Sequence, residues 1–331
     1  MPTWPKRSRE RRRGTSRKLA TVPSQGLSTS TQPTVRGRPQ RNRGKRSSTA
    51  PARQVDTPAA MLDASRRWRG DGKSIGLVPT MGALHAGHLS LVDLARREND
   101  LVVASVFVNP IQFAPGEDFE RYPRDPIRDA ELLEQSGVDA IYRPSVEAMY
   151  PPEARTRVHV SGVSEPLEGV ARPGHFEGVA TVVSKLLIAV APDRAYFGQK
   201  DAQQVAVVKR LVRDLDLGVE IRVGPTVREA DGVALSSRNV YLSAEERSAA
   251  ASLCAALRMA ADAYAAGERD PDRLRSVLRS RLEAEPLAVV DYAEVVDPGT
   301  FRGPGTLAVL AVRIGRTRLI DNHDLSLEFP G

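Results

Sequence analysis

Three observations place this chain in the α/β class. Between residues 55 and about 224, short apolar strands alternate with helices of ten or more residues, the pattern of βαβ units around a parallel sheet. The strand segments are short apolar runs, as strands buried on both faces require. After Val227 the texture changes to two helices followed by three extended runs, which predicts a smaller α+β unit. The boundary falls near residues 224–228, and no internal repeat is visible.

Taken in order, "TPAAMLDASRRWRGDG" predicts a helix leading into the strand "SIGLVPT". Helix resumes from about His88 in "HLSLVDLARREND", followed by the strand "LVVASVFV" and the loop "NPIQFAPGEDFERYPR". A helix near "PIRDAELLEQSG" precedes "VDAIYRP", and "VATVVSKLLIAVAP" leads as a helix into the strand "RAYFG". "KDAQQVAVVKRLVRDLDL" reads as helix and "VEIRVGPTVRE" as extended chain. An Ala-rich helix from about Ala244 to Ala266 and a second in "DPDRLRSVLRSRLEA" come next. The runs "VVDYAEVVD", "TLAVLAVRIG" and "RTRLIDN" close the sequence, the last two pairing around Gly315.

Charge is unevenly spread along the 331 residues. The formal net charge is +7, yet residues 1–50 hold 14 Lys and Arg against the single acid Glu10, which leaves the other 281 residues at −6. A basic pI therefore says nothing of a nucleic-acid surface on the body. Residues 1–50, rich in Arg, Ser, Pro and Gly, cannot bury enough apolar surface to offset ordering entropy and read as a disordered tail. Three explanations compete for it: an upstream start codon, an arm for nucleic acid or acidic surfaces, and an organelle transit peptide. The first is favoured, since nothing after the tail suggests a nucleic-acid role. No apolar stretch of signal-peptide length follows the basic segment, and no run approaches 18 apolar residues. The one cysteine, Cys254, lies on an apolar helical face and reads as core; a reducing cytoplasm is expected.

The chemistry concentrates in "LVPTMGALHAGHLSLV", residues 77–92, where two of the five histidines lie three apart just after an apolar strand. Open α/β sheets bind ligands at the carboxyl ends of their strands, and a helix N-terminus there offers free N–H groups to phosphate. Gly82 and Gly87 allow close backbone approach. His85 and His88, three apart at a helix start, can point the same way and donate to phosphate oxygens. A zinc site needs three or four ligands, and no Cys or acid of suitable spacing lies nearby.

"PTMGALHAGHLSLV" resembles the H-x-G-H signature of the nucleotidyltransferase superfamily that includes class I aminoacyl-tRNA synthetases. With "FVNPIQF" (107–113), "FGQKDAQQ" (197–204) and "LSSRN" (235–239), in that order, the chain resembles the pantothenate synthetase (pantoate–β-alanine ligase) family over about residues 55–325. That resemblance implies a Rossmann-like domain over residues 51–225 carrying the H-x-G-H motif, and a C-terminal lid domain over 226–331. It implies ATP-dependent joining of pantoate to β-alanine through a pantoyl adenylate, with release of pyrophosphate and AMP, in a cytoplasmic homodimer.

Residue roles follow from the same resemblance. Met81, Gly82, Ala83, Leu84, His85, Ala86, Gly87 and His88 would form the ATP phosphate loop, with His88 in the family's catalytic histidine position. His85, Lys200 and Arg238 complete the expected catalytic set. Gly198, Gln199, Lys200 and Asp201, then Val227, and Leu235, Ser236, Ser237 and Arg238 would bind the rest of the nucleotide. Gln112 is expected on pantoate and β-alanine and Gln204 on pantoate, with Tyr122 and Arg172 near the pocket. Asn109 and His175 read as structural. Magnesium is expected with the ATP. The family's acidic pair after "YPR" appears here as Arg128–Asp129, which leaves Asp129 as the expected metal ligand. Two other readings compete: a nucleotidyltransferase of the same fold with another acceptor, and a nucleic-acid binder working through the basic arm.

Overall fold

The computed structural model describes residues 51–330, so the expectation for the 1–50 tail lies outside the described residues. Strand β1 (Arg53–Val55) precedes helix α1 (Pro58–Gly70), which Thr57 caps by accepting from the Ala60 N–H at 3.2 Å, with Pro58 at a position that needs no donor. There follow β2 (Ile75–Thr80), α2 (Ala86–Glu98), β3 (Leu101–Val106), α3 (Pro126–Gln135) and β4 (Ala140–Tyr142). The short helices α4 (Val146–Met149) and α5 (Glu168–Ala171) lead to α6 (His175–Val190), β5 (Arg194–Gly198), α7 (Ala202–Asp214) and β6 (Glu220–Gly224). The remainder is α8 (Ala244–Ala265), α9 (Pro271–Glu283) and the strands β7 (Ala288–Val296), β8 (Leu307–Ile314) and β9 (Thr317–Asp324). The predicted α/β class is the observed one. Strand β1, three residues long, and helices α4 and α5, four residues each, are too short to leave a periodic signal.

Six parallel strands form one sheet in the order β1-β4-β3-β2-β5-β6. Both faces are apolar, as the unalternating strand sequences require. Leu77, Val103 and Phe197 pack with α1, α6 and α7, while Val78, Val102, Ala104 and Tyr196 pack with α2 and α3. Chain progression runs one way from β2 through β3 to β4 and then restarts on the other side of β2 with β5. Strands β2 and β5 are therefore the switch point, where such sheets open a crevice. They pair only at Gly76–Arg194 and Leu77–Ala195, so their carboxyl ends part. The last three strands form a separate antiparallel sheet in the order β7-β8-β9, covered by α8 and α9 with its own apolar cluster around Leu257, Leu278 and Leu310. Ile314 pairs with Thr317 around the predicted turn, where Gly315 adopts φ +55°.

Candidate active site

The H-x-G-H segment joins β2 to α2 at the switch point. Thr80 ends the strand, its hydroxyl donating to the Ser105 carbonyl at 2.7 Å and accepting from the Gly82 N–H at 3.2 Å. The chain then reverses through two left-handed residues, Gly82 (φ +80°) and Ala83 (φ +49°). The buried Asp129 carboxylate clasps this bend, accepting from the Ala83 N–H at 3.0 Å and the Leu84 N–H at 2.9 Å. A side chain at Gly82 would bring its Cβ to 2.7 Å from Asp129 Oδ2, so the bend needs glycine there as well as the positive φ.

Both histidines are oriented by backbone. His85 is the N-cap of α2, and its Nδ1 accepts from the Gly87 N–H at 3.1 Å; His88 Nδ1 accepts from the His85 N–H at 3.4 Å. A backbone N–H only donates, so each Nδ1 is unprotonated and each neutral ring carries its proton on Nε2. The ring centroids lie 4.1 Å apart. Desolvation in the crevice pulls both imidazoles down, His85 to about 4 and His88 to about 3, with further repulsion from Lys200 on His85 and from His85 on His88. At neutral pH the pair is thus two uncharged N–H donors. Gly87 serves this arrangement too: a Cβ there would stand 2.9 Å from His85 Cε1.

The opposite wall comes from two other places in the chain. After β5, Lys200 lies against Asp201 with 3.5 Å between Nζ and Oδ1, and Gln204 follows on the first turn of α7. Arg238 sits in a short 3-10 turn (Ser237–Tyr241) and grips Asp118 with two hydrogen bonds of 2.8 Å, its guanidinium 5.6 Å from the Tyr122 ring centroid. Burial raises the Asp118 carboxyl, but the Arg238 hydrogen bonds and charge outweigh it and hold it below the usual range. Ser237 donates to the Ala83 carbonyl at 3.1 Å, which ties the "LSSRN" segment directly to the H-x-G-H bend.

A third group is built on α6. Asn109, fully buried, donates from Nδ2 to the Gly178 carbonyl at 3.1 Å and to Gln112 Oε1 at 3.0 Å, while the Tyr150 hydroxyl donates to its Oδ1 at 2.9 Å. The Gly178 carbonyl can only accept, which fixes the Asn109 amide and through it the Gln112 amide. Gln112 Nε2 is left facing the cavity, 3.0 Å from Met81 sulfur. His175 Nδ1 donates to the Gln112 carbonyl at 2.9 Å and its Nε2 accepts from Arg172 at 3.1 Å, the neutral form; desolvation, then the Arg172 charge, lowers it to about 4. Arg172 in turn grips Glu117 with two bonds of 2.8 Å. Gly178 packs so closely on this loop that a Cβ would lie 2.4 Å from the Ile111 carbonyl oxygen.

These three groups line one cavity of about 220 Å³, whose remaining wall is the apolar face of α6 at Val179, Val183 and Leu186. Of the residues predicted for the site, Met81, His85, Gly87, His88, Gln112, Gly198, Lys200, Asp201, Gln204, Val227, Leu235, Ser236, Ser237 and Arg238 line it, as do Tyr122 and Arg172. Gly82, Ala83, Leu84 and Ala86 shape the bend or open the helix without lining the cavity. Gln199 turns away, its amide donating to Asn322 on β9 at 3.0 Å. Asp129, the expected metal ligand, is tied to the bend, each of its oxygens accepting from a loop amide. Among the described residues no cluster of three or more His, Cys, Asp or Glu side chains is placed to hold a metal ion. Sequence reading missed Glu117 and Asp118, whose arginine partners lie 55 and 120 residues away.

A parallel sheet with paired imidazoles at its switch point, facing Lys200 and Arg238, defines an α/β enzyme of the H-x-G-H class that handles nucleotide phosphates. The pantoate–β-alanine ligase family model matches residues 53–324, and the chain belongs to that family. It is 54% identical over 274 residues to the pantothenate synthetase of Herpetosiphon aurantiacus, covering 81% of this chain and 98% of that one. The Chloroflexus aurantiacus enzyme is 59% identical over 254 residues, covering 75% and 90%. A crystal structure of pantothenate synthetase from Thermus thermophilus matches with a TM-score of 0.78 and 49% identity over 82% of this chain and 99% of that one. The Francisella tularensis pantoate–β-alanine ligase, solved with β,γ-ATP and β-alanine, matches with a TM-score of 0.71 and 33% identity over 84% and 100%.

Proposed function

We propose that this cavity makes pantothenate from pantoate, β-alanine and ATP in two displacements. The pantoate carboxylate oxygen attacks the α-phosphorus, and the bond to the bridging oxygen breaks with its electron pair leaving on pyrophosphate. The β-alanine amine then attacks the activated carbonyl; the C–O bond to AMP breaks, AMP departs with the pair, and the amine proton passes to water. The observation that carries this reading is one cavity lined both by phosphate-suited donors (His85, His88, Lys200, Arg238) and by neutral amides (Gln112, Gln204) suited to a hydroxy acid.

A carboxylate nucleophile has no proton to lose, so His85 and His88 act as fixed Nε2–H donors to developing phosphate charge. Lys200 and Arg238 balance the triphosphate, the arginine through its planar fork. Asp129 holds the bend that aims the histidines. Magnesium belongs to this reading as the companion of the triphosphate and, when bound, would neutralise phosphate charge. The division at residues 225 and 226, the homodimer and the cytoplasmic setting remain parts of the same proposal; the buried lone Cys254 supports a reducing compartment. The test is coupled AMP release with each substrate omitted in turn. Turnover must need all three and yield AMP; ADP in its place contradicts the reading.

A further inference from the structure

A second chamber, of about 500 Å³, lies behind the phosphate-gripping side chains and shares Arg172, Lys200, Asp201, Ser236 and Arg238 with the first. Its far wall is the β8–β9 hairpin. Its acids are largely spoken for: Glu117 holds Arg172, Asp118 holds Arg238, and Asp321 holds Arg228 from outside the chamber. Glu168 and Asp291 hold Arg318 at 2.7 and 2.6 Å, Asp291 lies 3.7 Å from Arg313, and Asp201 lies against Lys200. Two lining arginines are left over. Arg121, on the loop before α3, and Arg316, at the hairpin turn, are exposed and have no carboxylate within ion-pair reach among the described residues. Both line the chamber together with Lys200 and Arg238, from two separate stretches of the chain.

We infer that this chamber is the exit path and transient site for inorganic pyrophosphate, with Arg121 and Arg316 as its outer anion contacts. The inference rests on the reading proposed above. Lys200 and Arg238, set against the triphosphate in that reading, line both cavities and form the partition between them, so the leaving group is released beside the second chamber. The adenylate stays on the other side, against α6 and the histidines. Guanidinium groups without a carboxylate partner beyond the partition, Arg121 lying 6.0 Å from the Tyr241 ring centroid, lower the energy of a compact polyanion there and draw it away from the reacting centre. Reversal of the first step must use the same path, since pyrophosphate can re-form ATP only by returning to that partition.

The test compares the intact chain with Arg121→Ala/Arg316→Ala and Arg121→Glu/Arg316→Glu, whose exposed positions leave the fold alone. Expected are a single-turnover rate of adenylate formation close to that of the intact chain and a pyrophosphate inhibition constant weakened about threefold in the alanine pair and about tenfold in the glutamate pair. Pyrophosphate–ATP exchange at subsaturating pyrophosphate slows in step, while inhibition by AMP is unchanged. Unaltered pyrophosphate inhibition overturns the inference, and so does an equal weakening toward AMP, which marks a general loss of positive field. An intact chain that forms no pantoate-dependent AMP marks a failure of the functional reading instead.

Discussion

Asp118 and Arg238, 120 residues apart in sequence, meet through two 2.8 Å hydrogen bonds on the wall of the second chamber. The pair neutralises the one guanidinium placed to reach a triphosphate from the "LSSRN" turn. Phosphate must then compete with Asp118 for Arg238. Asp118→Asn should strengthen ATP binding by about 1 kcal/mol, about fivefold in Kd, and steepen its salt dependence. Arg238→Ala should weaken the same Kd at least about tenfold. Isothermal titration at two salt concentrations reads both, and weaker ATP binding by Asp118→Asn would sink the competition.

His88 both caps α2 and presents an Nε2–H to the cavity. His88→Ala should therefore lower kcat by about 10²–10³ for the lost phosphate donor while changing the ATP KM far less. The lost cap should lower stability by about 1 kcal/mol, read as a small drop in Tm. Near-normal turnover in this variant would remove His88 from the chemistry.

The position of Asp129 predicts a loop defect with no metal signature. Asp129→Asn keeps one acceptor for the Ala83 and Leu84 amides and loses the other, which should destabilise the fold by about 1–3 kcal/mol and weaken ATP binding. The magnesium concentration for half-maximal activity should stay within about twofold, since metal affinity lost with a ligand is a larger effect. A large rise in that concentration would return Asp129 to the metal.

Gln112 should act on pantoate and not on ATP, because Asn109 fixes its amide with Nε2 toward the cavity. Gln112→Ala is expected to raise the pantoate KM about tenfold or more with the ATP KM little changed. Steady-state kinetics with each substrate varied in turn would show it, and equal rises in both would refute the assignment.

Three neutral histidines make the fold acid-sensitive. His85, His88 and His175 have folded values of about 4, 3 and 4 against 6.5 unfolded, so below pH 6.5 the unfolded chain binds more protons than the folded one. Stability should fall as pH drops from 6.5 toward 4, by at most about 1.4 kcal/mol per pH unit for each histidine, and be unaffected by them above about pH 7.5. Urea melts at pH 5 and pH 7.5 measure the difference; His175→Gln should shrink it. An unchanged difference would show that His175 does not contribute.

Much of this was legible in the sequence because it is local. The alternation of apolar strands with long helices sets the parallel sheet, and the H-x-G-H spacing sets a cap and a ring pair within one helical turn. The helix itself starts at Ala86, two residues before the apolar run announces it, since His85 supplies a cap that hydrophobic pattern does not report. What stayed hidden is long-range. Glu117 and Asp118 lie in a loop without periodicity, and nothing in "GED" points to Arg172 and Arg238. Asp129 looks like a metal ligand from its neighbours in sequence, whereas its partners are amides 45 and 46 residues upstream. Gly87 reads as a ligand-approach glycine, yet its closest constraint is the His85 ring.

Position 178 has a consequence for anyone wishing to retune the acceptor acid. With only a hydrogen on its Cα, the spine of α6 serves as bedrock for the turn that bears Gln112. A single methyl there would collide with the backbone of Ile111 and Gln112 and push that turn off the helix. Redesign for bulkier acids must begin on the α6 side chains, because the bedrock itself has no slack.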